Sequence, residues 1–386
     1  MIPNYQLIAS PQTWIEGEAL RQLEQTAALP GMRQAVGLPD LHPGKGYPIG
    51  AAFLSERIYP ALVGNDIGCG MALWPLDLLQ RKFKPERAAE RLQGLEDRWD
   101  GDLTDWQAQF SLEPTAFDSA LGTIGGGNHF AEVQAIEAVI DPTALATLGI
   151  DPDCLLLLVH SGSRGLGEAV LRAAIDQQGH HGLDPASPEA TDYLRQHDQA
   201  LRWAALNRRL IAHRVLTALN ADGECRLDIW HNLVQPLDWQ GERLWLHRKG
   251  AAPADRGPVV IPGSRGTLSY LVQPRSDCDH SLRSLAHGAG RKWKRGEARS
   301  RLSNRQRPED LITTALGGRV ICEDKELLYD EAPENYKGID RVVADLGEAG
   351  LIDVIATLRP VLTYKLRRPA HRQPGVRQSH PQRSRS

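Results

Sequence analysis

The strongest structural signal in the sequence is the stretch CLLLLVHSGSRG, residues 154–165. Its six consecutive apolar residues, from Cys154 to Val159, predict a buried strand. The strand runs directly into a glycine-rich turn, so His160 stands where strand meets loop. Two further segments share this design: the pair Asn128-His129 before the strand-like FAEV, and the pair His231-Asn232 at the end of the predicted strand RLDIWHN, residues 226–232.

The stretch VGNDIGCGMALW, residues 63–74, adds a carboxylate and a thiol to these histidines. Asp66 precedes Cys69 by three residues, and the glycines around them let the backbone bend so that both side chains reach one centre. Alone, this pair is explained more simply by a small-residue turn with a buried free cysteine. Together with the histidines it makes a set of metal ligands: Asp66, Cys69, His129, His160 and His231.

This ligand set is too large for one tetrahedral Zn²⁺ that keeps a coordination position open. Two adjacent ions that share the thiolate would use every ligand, and paired ions are a known solution for phosphoryl chemistry. The thiolate favours Zn²⁺, whereas carboxylate and imidazole also admit Mn²⁺. The ligands therefore predict a two-metal site and leave the metal open.

Four glycine-rich turns offer backbone N–H groups that could hold phosphates. They lie at residues 122–127, 161–165, 262–267 and 287–291. None is a P-loop, and GTIGGG at 122–127 lacks the spacing of a dinucleotide-binding motif. One such turn is most simply structural, but four of them favour an anionic substrate. His287, beside Arg291, is either an ordinary turn histidine or a nucleophile toward phosphorus.

Composition excludes a fibrous or fully disordered protein, since 41% of the 386 residues are hydrophobic and 24% are charged. No apolar run approaches the roughly 20 residues of a membrane span, so we expect no membrane association. The N-terminus lacks a secretory signal and the five cysteines are scattered, which favours a reducing, cytoplasmic location. The net charge of −3 conceals basic clusters at 291–301 and 365–386, which suggest phosphate-bearing partners.

The element pattern predicts an α+β fold in which mixed strands and helices surround a central metal cleft. We expect one large domain over residues 1–365 and a basic, disordered tail over 366–386, which fits either RNA contact or a solubilising end. Helices are predicted over 11–29, 78–112, 183–219 and 339–358, with Pro360 closing the last one before the short strand VLTYK.

Nine motifs, in order over nearly the whole chain, resemble those of the RtcB family of GTP-dependent RNA-splicing and repair ligases. They are GLPDLHPGKGYPIGAAF at 37–53, GNDIGCGM at 64–71, GTIGGGNHF at 122–130, HSGSRG at 160–165, HN at 231–232, RKGAAPA at 248–254, PGSRGTLSY at 262–270, HGAGR at 287–291 and EAPENYKGID at 331–340. Agreement of that many spaced motifs is highly specific.

The resemblance implies a ligase that joins RNA ending in a 2′,3′-cyclic phosphate or 3′-phosphate to RNA with a 5′-hydroxyl, using GTP and two Mn²⁺ ions. The two ligand sets it implies are Asp66, Cys69 and His129 for one ion, and Cys69, His160 and His231 for the other. Cys69 would bridge the ions. By the same resemblance, His287 would carry GMP as a phosphoramidate, and Asp40 matches an acidic residue of the family's active site.

The resemblance also implies a guanylate pocket. Its residues would be Asn128, Phe130, Glu132, Asn232, Pro262, Gly263, Ser264, Arg265, Gly266, Thr267 and Lys365. On charge grounds, further candidates for phosphate contacts are Lys45, Arg164, Arg265 and Arg291.

Three features depart from the common family pattern. Arg265 replaces a methionine, Trp203 stands where the family often has tyrosine, and the chain is short for the family. These features look like the paralogous branch associated with the release factor homologue PrfH. The expected partners are therefore broken RNA ends, from tRNA or rRNA, with GTP and a functional link to PrfH.

Two alternatives stay open at this point. One is a two-metal RNA phosphodiesterase or cyclic phosphatase that keeps the ligands but does not ligate. The other is a non-catalytic RNA-binding factor, against which the full set of ligands and His287 argues.

Overall fold

The computed structural model describes residues 4–367, which form an α+β fold as predicted. Its strands are β1 Tyr5–Leu7, β2 Met32–His42, β3 Ile49–Ser55, β4 Gly70–Leu79, β5 Phe130–Val139, β6 Cys154–Ser161, β7 Leu227–Trp230, β8 Asn232–Trp239, β9 Glu242–Lys249, β10 Ala251–Pro253, β11 Val259–Ile261, β12 Ser269–Pro274, β13 Ser284–Ala286, β14 Arg319–Cys322 and β15 Ile352–Leu366. Its α-helices are α1 Gly17–Ala27, α2 Pro85–Arg91, α3 Thr104–Gln109, α4 Pro142–Thr147, α5 Gly165–Gln178, α6 Pro188–Leu219, α7 Ala298–Leu302, α8 Lys325–Asp330 and α9 Ile339–Glu348.

Two sheets organise the fold. The smaller sheet has the strand order β1-β2-β3-β9-β8, and the larger has the order β11-β12-β15-β5-β6-β4-β7, with β14 paired to β15. The strands β10 and β13 form a separate antiparallel pair. One hydrophobic core contains side chains from both sheets, such as Leu54 and Leu246 from the smaller and Leu73 and Leu158 from the larger.

The apolar run of β6 is buried on both faces, which explains why it does not alternate with polar residues. Leu156 and Leu158 belong to the core that the two sheets share. Leu155, Leu157 and Val159 belong to a second core that includes residues of α6. Since successive side chains of a strand point to opposite faces, His160 continues the face of the shared core.

Two of the predicted helices are shorter than expected, and the stretch 78–112 is mostly not helical. The helix predicted at 183–219 begins at Pro188, where Ser187 caps its N-terminus. The helix predicted at 11–29 is confined to α1. Over 78–112 the chain forms the end of β4, a short 3₁₀ helix and the two short helices α2 and α3, because glycines and Pro85 interrupt a helical path.

The helix predicted over 339–358 is wrong beyond Glu348. The chain turns at Gly350, which has a φ of +72°, and then forms the long strand β15. Pro360 does not close a helix but lies within this strand. It is tolerated there because the pairing of β15 with β5 shifts register between Pro360 and Leu362. The strand carries Lys365 to the centre of the molecule.

Two predictions concern the ends of the chain and its relation to membranes. In the part of the chain that the structure covers, no helix combines the length and apolar character needed to cross a membrane. The predicted basic tail lies outside the described residues from position 368 onward.

A buried arginine on α6 ties together the two loops that carry predicted metal ligands. The guanidinium of Arg208 is fully buried and donates hydrogen bonds to the backbone oxygens of Gly68, at 2.8 Å, and Ser161, at 2.7 Å. It also pairs with Asp228 at 2.7 Å. A single cation thus fixes the approach of β4 to β6 at the end where Cys69 and His160 lie.

We predict that Arg208→Met lowers the free energy of unfolding by about 3 kcal/mol, because it leaves a carboxylate and two buried carbonyls without their partner. Urea denaturation monitored by circular dichroism measures this loss. The matched control is Arg209→Met, since Arg209 is the exposed neighbour on the same helix. Equal stability of the two variants would contradict the stabilising role of Arg208.

Candidate active site

Three predicted ligands extend one face of three neighbouring strands. In the larger sheet Met71 of β4 pairs with His160 of β6 on one side and with Ile229 of β7 on the other. Cys69 lies two residues before Met71, and His231 lies two residues after Ile229. Because every second side chain of a strand points to the same face, the side chains of Cys69, His160 and His231 lie on one face of the sheet. The backbone N–H of His231 donates to the carbonyl of Cys69 at 2.8 Å, which fixes the two loops together.

The five predicted ligands form two groups that share Cys69. One group contains Asp66, Cys69 and His129, and the other contains Cys69, His160 and His231. Within each group the ligand atoms lie within 4.8 Å of one another. The Cys69 sulfur is 3.2 Å from Nε2 of His160 and 3.5 Å from Nε2 of His129. This is the arrangement expected for two adjacent ions bridged by a thiolate.

A glycine makes room for the carboxylate of this site. A Cβ atom on Gly162 would lie 2.2 Å from Oδ1 of Asp66, so no larger residue fits without displacing the ligand. The other oxygen of Asp66 is 2.9 Å from Nε2 of His129. Arg164 lies two residues after Gly162, and its guanidinium donates a hydrogen bond to the carbonyl of Ile124 at 2.6 Å. The same guanidinium lies 3.3 Å from Nδ1 of His129.

The protonation tendencies of these groups fit metal binding. Burial, reinforced by the neighbouring histidines, holds the pKa of His160 and His231 well below the usual value, so both rings are neutral and able to coordinate. Burial and the nearby Asp66 raise the pKa of the Cys69 thiol. Burial also raises the pKa of Asp66, but His129 and hydrogen bonds outweigh it and bring the value to about 2. Without a metal the raised pKa keeps Cys69 as a thiol beside the half-buried carboxylate of Asp66, and a bound cation would displace the thiol proton.

His287 stands next to the metal ligands with one ring nitrogen already engaged. Its Nδ1 is 2.7 Å from Oδ2 of Asp40, and its ring centroid is 4.8 Å from that of His231. Asp40 is fully buried, and among residues 4–367 its Oδ1 has no hydrogen-bond partner. In the neutral tautomer that donates from Nδ1 to this carboxylate, Nε2 of His287 carries the lone pair and could act as a nucleophile.

A buried lysine that the sequence did not single out holds the segment around Asp40. The ammonium of Lys337 donates to the backbone carbonyls of Pro39, at 3.0 Å, and Leu41, at 2.7 Å. Burial lowers its pKa to about 8 although Asp40 acts in the opposite direction. Close packing adds to this restraint, since a Cβ atom on Gly290 would lie 2.3 Å from the carbonyl oxygen of Asp40.

The residues predicted for the nucleotide gather beside the metal ligands. Phe130 packs against His160, with ring centroids 5.5 Å apart, and the Lys365 ammonium lies 5.6 Å from the centroid of the Phe130 ring. Glu132 is buried and accepts hydrogen bonds from Thr363 and Gln134. Burial raises the pKa of Glu132 and lowers that of Lys365. Phe130, Glu132 and Lys365 thus bring an aromatic ring, a carboxyl group and an ammonium to the lining of one cleft.

The two predicted asparagines make structural contacts at the site. The backbone carbonyl of Asn128 accepts from Nδ1 of His160 at 3.2 Å, and its side-chain oxygen accepts from Arg295 at 3.2 Å. Asn232 donates to the backbone carbonyl of Asp66 at 3.0 Å, and its side-chain oxygen accepts from the N–H of Gly250 at 2.7 Å. Both asparagines line the same cleft as the ligands.

The predicted glycine-rich turn at 262–267 faces the cleft only with its first part. Pro262, Gly263, Ser264 and Arg265 line the cleft, whereas Gly266 and Thr267 do not. The hydroxyl of Thr267 instead accepts from the N–H of Ser264 at 2.8 Å and stabilises the turn. The guanidinium of Arg265 is buried and donates to the carbonyl of Leu328 at 2.7 Å, so it joins the turn to α8.

A buried glutamate outside the predicted set connects several cations. Glu331 pairs with Arg291 at 3.2 Å, with Lys365 at 3.5 Å and with Arg295 at 3.8 Å. Burial raises its pKa, but the three cations outweigh burial and keep the pKa below the usual value. Lys249 is another unpredicted residue of the cleft, with a pKa that burial lowers to about 8. In the sequence, Glu331 and Lys249 could have been recognised only because each lies within one of the family motifs quoted above.

Most of these groups line one cleft with a volume of about 1120 Å³, whereas Asp40 and Lys337 lie outside its lining. The cleft is lined by both groups of predicted metal ligands, by His287 and Lys365, and by residues 262–265 of the glycine-rich turn. The exposed Lys45 and the ion-paired Arg291 also line it. The cleft therefore combines predicted metal ligands, an imidazole that could act as a nucleophile, and several cations. Sites that react with phosphate groups use groups of these kinds.

Comparison with known proteins agrees with this geometry. The family model for the tRNA-splicing ligase RtcB matches residues 22–115 and 104–366. The chain is 50% identical to RNA-splicing ligase RtcB2 of one Escherichia coli strain over 93% of its own length and 94% of the relative's. It is 30% identical to RtcB1 of the same strain, over 94% of this chain and all of that protein. It is also 30% identical to the tRNA-splicing ligase RtcB of Archaeoglobus fulgidus, over 90% of this chain and 91% of that protein. The chain thus belongs to the RtcB family of tRNA-splicing ligases.

Proposed function

We propose that this protein is a GTP-dependent RNA ligase that joins 2′,3′-cyclic phosphate or 3′-phosphate ends to 5′-hydroxyl ends. The observation that carries the proposal is the position of His287, which lines the cleft beside two ligand groups that share Cys69 and whose Nδ1 is engaged by Asp40. The names of the matched relatives, RNA-splicing and tRNA-splicing ligases, support the RNA substrate.

The proposed first transfer places GMP on the enzyme. Nε2 of His287 attacks the α-phosphorus of GTP, an N–P bond forms, and the bond to the bridging oxygen breaks so that pyrophosphate leaves. Asp40 accepts the hydrogen bond from Nδ1 and stabilises the positive charge that develops on the ring. Lys337 holds the carbonyls on both sides of Asp40 and thereby its carboxylate.

In the second transfer, an oxygen of the RNA 3′-phosphate attacks the same phosphorus and breaks the N–P bond. The product is an anhydride between the RNA end and GMP. The 5′-hydroxyl of the other RNA then attacks the RNA phosphate, loses its proton and expels GMP. Activation by GMP is needed because a phosphate monoester is by itself a poor electrophile.

We infer that the two ions are Mn²⁺, held by Asp66, Cys69 and His129 and by Cys69, His160 and His231. When bound, they would neutralise phosphate charge and lower the pKa of the water that opens a cyclic phosphate. The neutral rings of His160 and His231 and the half-buried carboxylate of Asp66 suit such ions.

The nucleotide would bind between Phe130, Glu132 and Lys365. Glu132 can accept hydrogen bonds from the N1–H and amino group of guanine, a pattern that adenine does not offer. The turn at 262–264 and Asn128 would complete the pocket. The greater identity to RtcB2 than to RtcB1 supports a paralogous branch, and the link to PrfH belongs to the same proposal. All five cysteines are free, which suits the proposed cytoplasmic location.

Labelling tests the proposed nucleophile. With α-labelled GTP and Mn²⁺, we expect a protein adduct that is labile in acid and stable in alkali, as a phosphoramidate is, and His287→Ala should abolish it. His180→Ala, which removes an exposed histidine, serves as the control and should be labelled like the wild type. Absence of any adduct with the wild type would favour a hydrolase that does not ligate.

Metal stoichiometry tests the shared thiolate. Cys69→Ala should lose both ions and with them guanylation and cyclic-phosphate opening, whereas Asp66→Ala should lose only one ion. Titration calorimetry with Mn²⁺ measures the number of ions bound, independently of activity. The control is Cys154→Ala, at the opposite end of β6. Guanylation of Cys69→Ala at the wild-type rate would contradict the assignment, and a wild type without Mn²⁺ would revive a non-catalytic RNA-binding factor.

A third prediction concerns the lysine behind Asp40. Lys337→Met should slow guanylation on the order of 10- to 100-fold, because the reacting imidazole loses its fixed orientation. The affinity for GTP should change little, since Lys337 donates only to backbone carbonyls behind the site. Lys337→Arg should recover part of the rate. Rapid-quench measurement of adduct formation at several GTP concentrations separates rate from affinity, and a change confined to affinity would disprove this positioning role.

A further inference from the structure

The basic run at 291–301 contains charge that the proposed chemistry does not use. It holds six lysines and arginines and one acid. Arg299 and Arg301, on α7, are paired with Glu326 and Glu297. Lys292 and Lys294 form no ion pair with any residue of the range 4–367. Two cations are thus left for a ligand.

These two lysines flank Trp293, and all three residues line the cleft that contains His287. The segment is anchored to the rest of the protein. The backbone N–H of Lys292 donates to the carbonyl of Asn335 at 2.7 Å, and Nε of Arg291 donates to the carbonyl of Trp293 at 3.1 Å. A ligand bound here is therefore held at a fixed distance from the reacting histidine.

Trp293 is only partly buried. One part of the indole packs on a small hydrophobic cluster that includes Ala298 and Leu302, and the Arg301 guanidinium lies 4.9 Å from the ring centroid. The remaining part faces the cleft. An indole supported from behind and flanked by unpaired lysines has the composition of a single-stranded nucleic-acid site, in which bases stack on aromatic rings and cations follow the backbone.

The size of the cleft agrees with a second ligand. Pockets for small molecules usually have volumes of about 300–1,000 Å³, and this cleft, at about 1120 Å³, exceeds that range. The residues assigned to the guanylate, Phe130, Glu132 and Lys365, do not include residues 292–294, which line the same cleft. Lys45, exposed on another loop, adds a further cation without an ion pair among the described residues.

We propose that Lys292, Trp293 and Lys294 form a platform for a single-stranded RNA segment next to the end that is joined. A base stacks on Trp293, and the two lysines contact neighbouring phosphates. This inference rests on the proposed function and adds to it the place where the RNA strand is held.

The experiment measures RNA binding to the full chain with Mn²⁺ at several salt concentrations. The probes are a single strand ending in a 3′-phosphate, a single strand beginning with a 5′-hydroxyl, and a blunt duplex of the same length. Trp293→Leu should weaken binding of a single strand about tenfold, and Trp293→Phe should restore most of it. Lys292→Ala and Lys294→Ala should each reduce the salt slope by about 0.7, as expected for one lost phosphate contact.

The control is Lys82→Ala, since Lys82 is exposed and follows the end of β4 that points away from the cleft. Weaker binding of either single strand supports the platform and identifies the strand that it holds. Unchanged binding of both strands, or a loss confined to the duplex, would overturn it. Labelling of the wild type with GTP is scored separately, so a failed adduct would reject the proposed ligase chemistry without deciding the RNA result.

Discussion

Strand register is the constraint on which the whole site depends. Three adjacent strands, β4, β6 and β7, bring Cys69, His160 and His231 to one face of the larger sheet, at one end of the ladder. Because side chains alternate, a slip of one residue in any of these strands would turn a ligand toward α6 instead of the cleft. The double-sided apolar burial of β6 and the carbonyl bonds of Arg208 both act against such a slip.

Charge is arranged around this frame in layers. The predicted metal ligands are the half-buried carboxylate of Asp66, the thiol of Cys69 and imidazoles of which those of His160 and His231 are neutral. Toward the nucleotide side, Glu331 holds Lys365 and Arg291 in buried ion pairs. At the rim, Lys292 and Lys294 are left unpaired within the described chain. The cations of the cleft are therefore unpaired at its rim within the described chain, and held in buried ion pairs farther inside.

The sequence predicted those parts of the protein that local patterns determine. The apolar run identified β6, and the histidines at strand ends identified ligands that the structure brings together. The end of β15 was predicted as the short strand VLTYK, but its first part was taken for a helix because Val354, Ile355 and Pro360 are compatible with a helix followed by a stop until β5 and β12 are seen to pair with them. Arg208 and Lys337 were missed because an isolated cation in a sequence gives no sign that it will be buried against backbone carbonyls far along the chain.

The strand β15 has a consequence for how the protein is made. It follows every other element of the site along the chain, yet it supplies Thr363 and Lys365 and pairs with β5 and β12, next to the nucleotide side. Chains fold from the N-terminus during synthesis, so the cleft cannot assume its final shape until this strand has left the ribosome. A nascent chain that already carries all five predicted metal ligands and His287 still lacks one wall of the cleft, which is complete only after the ribosome has released Thr363 and Lys365.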